Sequence, residues 1–377
     1  MNQHSQSPNI LLAPLDWGLG HATRCVPLIR ELLQRQCKVV LATSGKGKAL
    51  LQQEFPDLPI LPLAGYEIEY AAGGWELAMK IVAQIPKLLS AIEKEHLWLQ
   101  KVVEEHSFDA LISDNRYGLH HPNLYTIFLT HQLTIQTPFG FGKNILQDLN
   151  YNYINRFTEC WVPDAEEEEN LAGALSHPAT KPTVPLKYTG PLSRFSQQHT
   201  ADAGSYLLFL LSGPEPQRTL LEEKIVAELE NLTAPFVIVR GLPGEKNTLA
   251  VNSNGIVYNH LPAAELEQLL AGASLVISRS GYSTVMDLAA MQKKSILIPT
   301  PGQTEQEYLA KHLMEKNFAF CVEQKKLKLK NILNLAEDFS YRSFPPMTKK
   351  LKEVVDAFVE SMQSKKSGTT KKSAKSA

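Results

Sequence analysis

Two spacings of apolar residues take turns along this chain. Short unbroken apolar runs mark buried strands, and stretches in which apolar residues return every three or four positions mark helices. Residues 9–15 form the first run, and residues 21–34 follow with helical spacing through Val26, Leu28, Ile29, Leu32 and Leu33. Residues 38–42 are the next strand, and shorter strand-type runs fall at 60–63, 110–113, 125–129 and 160–162. The long interval 75–105 carries no strand pattern. Its apolar residues keep helical spacing from Trp75 to Trp98, and Pro86 is expected to kink or split that helix.

The alternation starts again after a polar stretch, 191–204, that reads as a linker. Strands are predicted at 206–211, 236–239, 255–258, 275–278 and 295–298. Helices are predicted at 217–232, 264–271, 284–291 and 305–316, with a last one near 347–362. Strands alternating with helices imply an α/β chain of two doubly wound, Rossmann-like parallel sheets. Such sheets bind ligands at the carboxyl ends of their strands, so the two halves are expected to face one another across a cleft. The boundaries follow: a first domain over 1–192, a linker over 193–203 and a second domain over 204–345. A C-terminal helix over 346–363 is expected to pack back near the first domain. The tail 364–377, SKKSGTTKKSAKSA, lacks large apolar residues and is expected to be disordered. Its lysines suit an anionic membrane surface, although a merely solubilising tail is the simpler reading.

Composition narrows the partners. With 377 residues, 44% of them hydrophobic, the chain has material for two cores. Its 38 basic and 39 acidic residues leave a net charge of -1, without the basic excess of a nucleic-acid binder. Cys25, Cys37, Cys160 and Cys321 are scattered, with no metal-ligand spacing, so no metal site is expected. The opening residues lack the features of a secretion signal, and the apolar runs are too short to span a bilayer. The expectation is a cytoplasmic protein with reduced thiols.

Candidate chemistry gathers at the loops after strands. After 9–15 comes Asp16-Trp17-Gly18-Leu19-Gly20, in which Gly18 and Gly20 permit a tight turn and close approach of a ligand. His21 stands at the start of the following helix, where amides and the positive dipole end face the cleft. A neutral imidazole there can take a proton from an attacking hydroxyl. A capping or packing histidine is the competing reading. Arg24, one turn on, either holds an anionic substrate or is an ordinary surface arginine.

The stretch 278–307 is the most informative. Arg279-Ser280-Gly281-Tyr282-Ser283 is a small-residue turn between a buried strand and a helix starting at Thr284. Free amides of Tyr282, Ser283 and Thr284 would suit a diphosphate. Asp287, one turn further, can accept two hydrogen bonds from a ribose diol, or can simply cap the helix with Thr284. A second turn, 299–304, leads into a helix opening with Glu305-Gln306-Glu307. Gln303, Gln306 and Glu307 are suited to sugar hydroxyls, or else form a solvated helix start. Ser212 and Gly213, after the strand 206–211, can contact phosphate from the other side, and Arg194 in the linker can supply positive charge.

The runs SRSGYSTVMDLAA and IPTPGQTEQEYLAKHL resemble the donor-site region of family 28 glycosyltransferases, the group that includes MurG. WGLGHATR resembles that family's glycine-rich acceptor-domain loop, LTHQL its histidine-containing loop, and YTGPLSR the segment entering the linker. The resemblance implies the GT-B fold and inverting, metal-independent transfer from a UDP-sugar, with no other cofactor. It implies that Asp287 binds the ribose, Gln306 and Glu307 the sugar, and the backbone near His260 and Leu261 the uracil. Gly281 to Thr284 and Arg194 would lie at the diphosphate. His21 and the acceptor-side loop residues Gly18, Gly20, Arg24 and His131 would lie beside the acceptor. Two positions depart from the family pattern. Its Gly-Gly-Ser loop is here Leu211-Ser212-Gly213-Pro214, and Asp287 replaces the usual glutamate.

The expected reaction is a single displacement. Helix-start amides and Arg194 stabilise the departing diphosphate, and His21, or else Asp114, deprotonates the acceptor hydroxyl. The partners are a nucleotide-sugar donor and a hydroxyl acceptor, for which a lipid-linked molecule and peripheral contact with the inner membrane face are open. The resemblance points to a hexose or N-acetylhexosamine and to envelope polysaccharide or glycolipid synthesis. The rival readings are a sugar-nucleotide hydrolase or epimerase on the same scaffold, and a non-catalytic nucleotide-sugar binder.

Overall fold

The computed structural model describes residues 7–66, 84–137, 142–195, 204–230, 232–247, 249–251, 254–345 and 350–373, with side chains of the last helix to 364. The first sheet has seven parallel strands: β1 (Asn9–Pro14), β2 (Lys38–Thr43), β3 (Ile60–Pro62), β4 (Ala110–Asp114), β5 (Tyr125–Leu129), β6 (Glu159–Val162) and β7 (Leu186–Tyr188). Their order is β3-β2-β1-β4-β5-β6-β7. The second has six parallel strands, β8 (Tyr206–Leu210), β9 (Phe236–Val239), β10 (Gly255–Tyr258), β11 (Ala273–Ser278), β12 (Ser295–Leu297) and β13 (Phe320–Cys321), in the order β10-β9-β8-β11-β12-β13.

Both orders reverse once, between β1 and β4 and between β8 and β11. At such a switch point the connections leave in opposite directions and open a crevice beyond the strand tips. Pairing of Pro14 with Asp114 and of Ser278 with Leu210 fixes which loops border each crevice. The strands are held there by burial: Ile10, Leu11 and Leu12 are wholly inaccessible. Burying each such side chain contributes roughly 1.5–3 kcal/mol.

The helices are α1 (Leu19–Gln34), α2 (Gly45–Glu54), α3 (Ile85–Glu105), α4 (Lys143–Ile154), α5 (Gln217–Leu229), α6 (Ala263–Gly272), α7 (Tyr282–Ala290), α8 (Thr304–Glu315), α9 (Leu329–Glu337) and α10 (Lys350–Ser373). Helix α3 begins at Ile85, in keeping with a break at Pro86. The proline occupies the first turn, where the missing amide has no intrahelical partner to lose. The residues 67–83 of that predicted helix, with Trp75, lie outside the described residues. The sequence reading lacked α2, α4, α9, β7 and β13. The two strands are only three and two residues long, too short to show a period.

The chain crosses from the second sheet to finish on the first domain. In α10, Asp356 accepts from Arg35 Nε at 2.6 Å, and Phe358 meets Trp161 edge-on with centroids 5.6 Å apart. The backbone stays helical to Ser373, across much of the stretch expected to be disordered. No proline interrupts it, and extending an existing helix fixes one residue per added bond, far cheaper than starting one. No described helix is long and apolar enough to cross a membrane.

Candidate active site in the interdomain cleft

The two crevices open into one cleft of about 980 Å3. Gly18 leads the chain from β1 into α1 with a left-handed φ of 76°, which favours glycine. His21 then lies in the first turn of α1 and lines the cleft. Behind it sits Asp114, wholly buried at the tip of β4. His21 Nδ1 is 3.1 Å from Asp114 Oδ2. Arg24 Nε donates to both carboxylate oxygens at 3.1 and 3.0 Å, and its Nη2 also reaches Oδ1. Burial opposes ionisation of Asp114, but the Arg24 charge and the hydrogen bonds from Arg24 and His21 prevail and hold its carboxyl well below the ordinary range. Burial lowers the His21 pKa, against the pull of Asp114. The histidine is therefore unprotonated at neutral pH.

This placement corrects two expectations. Asp114 does not line the cleft, so it is no direct base; its carboxylate orients His21. Arg24 is neither a surface arginine nor a free anion site. It is 2% exposed and engaged by Asp114, His21 and His131.

Across the cleft, α7 starts at Tyr282, two residues before the predicted start. Its first helical bond runs from Val285 N to Gly281 O at 3.0 Å. The amides of Tyr282, Ser283 and Thr284 precede it and carry the positive end of the helix. Gly281 does not make the turn by unusual geometry, as its φ is -67°. Among the described residues a Cβ there would meet nothing within 4 Å, so glycine leaves the helix start open towards the cleft. Ser283 Oγ donates to Gly20 O at 2.8 Å, which brings this helix start directly against the loop carrying His21.

Asp287 is buried at the cleft wall. Its Oδ1 accepts from Ser193 Oγ at 2.7 Å, and burial raises its pKa against the pull of Arg194. Arg194 Nε stands 3.6 Å from Asp287 Oδ2, and among the described residues no acceptor lies within hydrogen-bond distance of that nitrogen. Ser212, Gly213, His260 and Leu261 line the same side. Burial lowers the pKa of His260.

Two further site candidates, Ser280 and Glu307, stand differently from expectation, whereas Tyr282 and His131 line the cleft. Ser280 faces away from the cleft and donates to Gln306 O at 2.9 Å, tying the two turns together. The Tyr282 ring is buried, with its hydroxyl on Pro163 O at 2.9 Å, so only its amide is available to a ligand. Glu307 does not line the cleft; it accepts from Gly302 N at 2.9 Å and caps its own turn. His131 is buried, with its Nε2 2.8 Å from Glu305 Oε1. Gln303 and Gln306 do line the cleft, and Gln306 Oε1 accepts from Thr300 N at 2.9 Å.

The residue that sequence reasoning missed is Glu305. It is one of three polar residues opening α8, and only its meeting with His131 from the other domain singles it out. Also missed was the α4 side of an apolar wall whose α3 side falls in the apolar stretch from Trp75 to Trp98. Leu88, Leu89 and Ile92 on α3 face Leu146 and Leu149 on α4, with Trp17 39% exposed at the rim. The α3 residues had helical spacing, but nothing in the sequence paired them with α4. Among the described residues no group of three or more His, Cys, Asp or Glu is placed to hold a metal ion.

Residues 217–364 match the glycosyltransferase family 28 C-terminal domain. The chain is 23% identical over 332 residues to the UDP-N-acetylglucosamine–N-acetylmuramyl-(pentapeptide) pyrophosphoryl-undecaprenol N-acetylglucosamine transferase of Listeria monocytogenes serotype 4a (strain HCC23), covering 83% of this chain and 86% of that one. A shorter stretch of 104 residues is 36% identical to the enzyme of the same name from Histophilus somni (strain 129Pt), covering 24% of this chain and 29% of that one. The solved glycosyltransferase of kitacinnamycin superposes with a TM-score of 0.61 at 15% identity, over 95% of each chain. Two facing parallel α/β sheets and these likenesses define a glycosyltransferase of the GT-B fold. Within that class, the C-terminal part of the chain, residues 217–364, is matched by the family 28 C-terminal domain.

Proposed function

We propose that the chain transfers a hexose or N-acetylhexosamine from a UDP-sugar to a hydroxyl of an amphiphilic acceptor, inverting the anomeric centre without a metal ion. The observation that carries this reading is the meeting of Ser283 with Gly20. It sets an open helix start, suited to a diphosphate, against the loop that presents an unprotonated histidine. The acceptor hydroxyl loses its proton to His21 Nε2 as its oxygen attacks the anomeric carbon. The bond to the diphosphate breaks on the opposite face, which inverts the centre. Charge developing on the diphosphate is met by the amides of Tyr282, Ser283 and Thr284 and by Arg194. Asp287 binds the ribose hydroxyls in place of Ser193. Asp114 holds the imidazole with its proton on Nδ1 and stabilises the imidazolium that forms, as the carboxylate of a hydrolytic triad does.

The apolar wall between α3 and α4 favours an acceptor with an apolar portion over water. It suits a lipid-linked alcohol, and with it peripheral contact with a membrane surface. Turnover of UDP-sugars, followed by UDP release with and without alkyl glycosides as acceptors, tests the reading. Acceptor-dependent release that falls roughly 100-fold or more in His21→Ala is the expected result. Stoichiometric free sugar without acceptor makes the protein a hydrolase instead.

A further inference from the structure

His131 bridges the two domains, and the chemistry of its neighbours fixes its proton. Arg24 Nη1 stands 3.1 Å from His131 Nδ1. A guanidinium only donates, so Nδ1 accepts and the imidazole proton sits on Nε2. That N–H points at Glu305 Oε1, 2.8 Å away at the start of α8 in the other domain. Tyr282, also from the other domain, stacks on the ring at 4.2 Å and 12° and holds its plane. A continuous chain of hydrogen bonds therefore runs from Asp114 through Arg24 and His131 to Glu305.

At the other end of that chain, His21 Nδ1 has two incompatible neighbours. Asp114 Oδ2 at 3.1 Å needs a donor, whereas Arg24 Nη2 at 3.0 Å needs an acceptor. If Nδ1 donates to Asp114, the lone pair is on Nε2 and the ring is a base. If Nδ1 accepts from Arg24, the proton is on Nε2 and the ring is not. The outcome depends on where Arg24 directs its charge.

We infer that Glu305 and His131 are positioning residues that couple closure of the donor-side domain to the base form of His21. In the closed arrangement, Glu305 orients His131, which holds Arg24 Nη1 and so turns Nη2 to donate to Asp114 Oδ1, leaving His21 Nδ1 to donate to Asp114 Oδ2. The Glu305 carboxylate also offsets the Arg24 charge, so the pull of Asp114 on His21 is no longer cancelled. When the domains part, Glu305 leaves with α8 and the histidine becomes a weaker base. A base armed only in the closed cleft limits hydrolysis of the donor by water. The inference rests on His21 as the base in the reaction proposed above, and it assigns Glu305 a task distinct from holding the sugar.

The ionisable groups around His21 are Asp114 from β4, Arg24 from its own helix, His131 after β5 and Glu305 from α8. The Cys25 thiol, 3.6 Å from Asp114, is kept neutral by burial. Glu305 is held below its ordinary pKa despite burial, by the hydrogen bond from His131 and the Arg24 charge, so it is an anion when it arrives.

The test is the titration of His21 in the full-length protein carrying 15N-labelled histidine, saturated with UDP, with His21→Ala identifying the resonance. Removing a nearby carboxylate destabilises the imidazolium. The His21 midpoint in Glu305→Gln should therefore fall by about half a pH unit or more. His131→Gln keeps an acceptor for Arg24 and a donor for Glu305 and should leave the midpoint near wild type. In turnover, Glu305→Gln should lower kcat about tenfold and change the KM for the UDP-sugar less than about threefold. An unchanged His21 midpoint in Glu305→Gln overturns the inference. So does a rise in KM alone, which marks a plain sugar contact. The titration needs no turnover, so a chain that transfers no sugar leaves the relay decided on its own.

Discussion

At β11 and α7 the cleft is walled by peptide groups: three amides ahead of the first helical bond, an unstrained Gly281 and open space in front of it. At β1, β4 and α1 it is backed by a buried cluster of polar side chains, Asp114, Arg24 and His131, with His21 at its edge. Both lie at the switch point of a parallel sheet, so topology alone explains why each half contributes a site. They differ in what the site costs to build. Backbone amides at a helix start come free with the helix. A buried arginine and aspartate must compensate for the water each has lost, and they do so only as a pair. The α7 side is therefore expected to tolerate substitution without unfolding, and the α1 side is not.

The largest effect should come from Asp114→Asn. It removes the anion from a wholly buried arginine, and breaking such a pair costs about 3 kcal/mol or more in stability, read as a lowered Tm. Activity should fall by about 100-fold as well, since His21 loses the group that orients it. The carboxyl of Asp114 is depressed below its ordinary 3.8, so its contribution to stability is complete above about that pH and is lost as the pH falls. That acid-dependent loss should be missing from the variant. An Asp114→Asn protein with wild-type Tm would erase the contrast between the two sides.

Gly281→Val comes next. Its side chain would project into open space, so Tm should stay near wild type while the KM for the donor rises about tenfold or more. Arg194→Met should raise the donor KM by about tenfold, the loss of one charge-assisted hydrogen bond, again with little change in Tm. Isothermal titration with UDP would check both. Unaltered UDP affinity in both variants would move the diphosphate away from α7.

The smallest effect concerns pH. Burial lowers the His21 pKa from its ordinary 6.5, so the base form persists below that pH. The acid limb of kcat/KM should accordingly fall below pH 6.5, and a limb well above that value would mean that another group is the base.

The same contrast explains what could be read from the sequence. Strand and helix spacing revealed the two-sheet architecture, because a buried parallel strand and an amphipathic helix each leave a local pattern. The helix start at Gly281 was legible for the same reason. Ser280, Glu307 and Asp114 were assigned contacts they do not make, since which way a turn residue faces is settled by packing. Arg24 looked like any arginine one turn into a helix. Only the pairing of β1 with β4, some 100 residues away in the chain, turns it into the partner of Asp114. Glu305 and His131 are 174 residues apart, and no local pattern relates them.

Transfer in this cleft depends on the placement of the diphosphate at the start of α7. Amide hydrogen exchange, read peptide by peptide with and without UDP, addresses it directly. Slowed exchange at Tyr282, Ser283 and Thr284, together with the segment around Arg194, is the expected result. UDP that binds and leaves the start of α7 exchanging as before would contradict it.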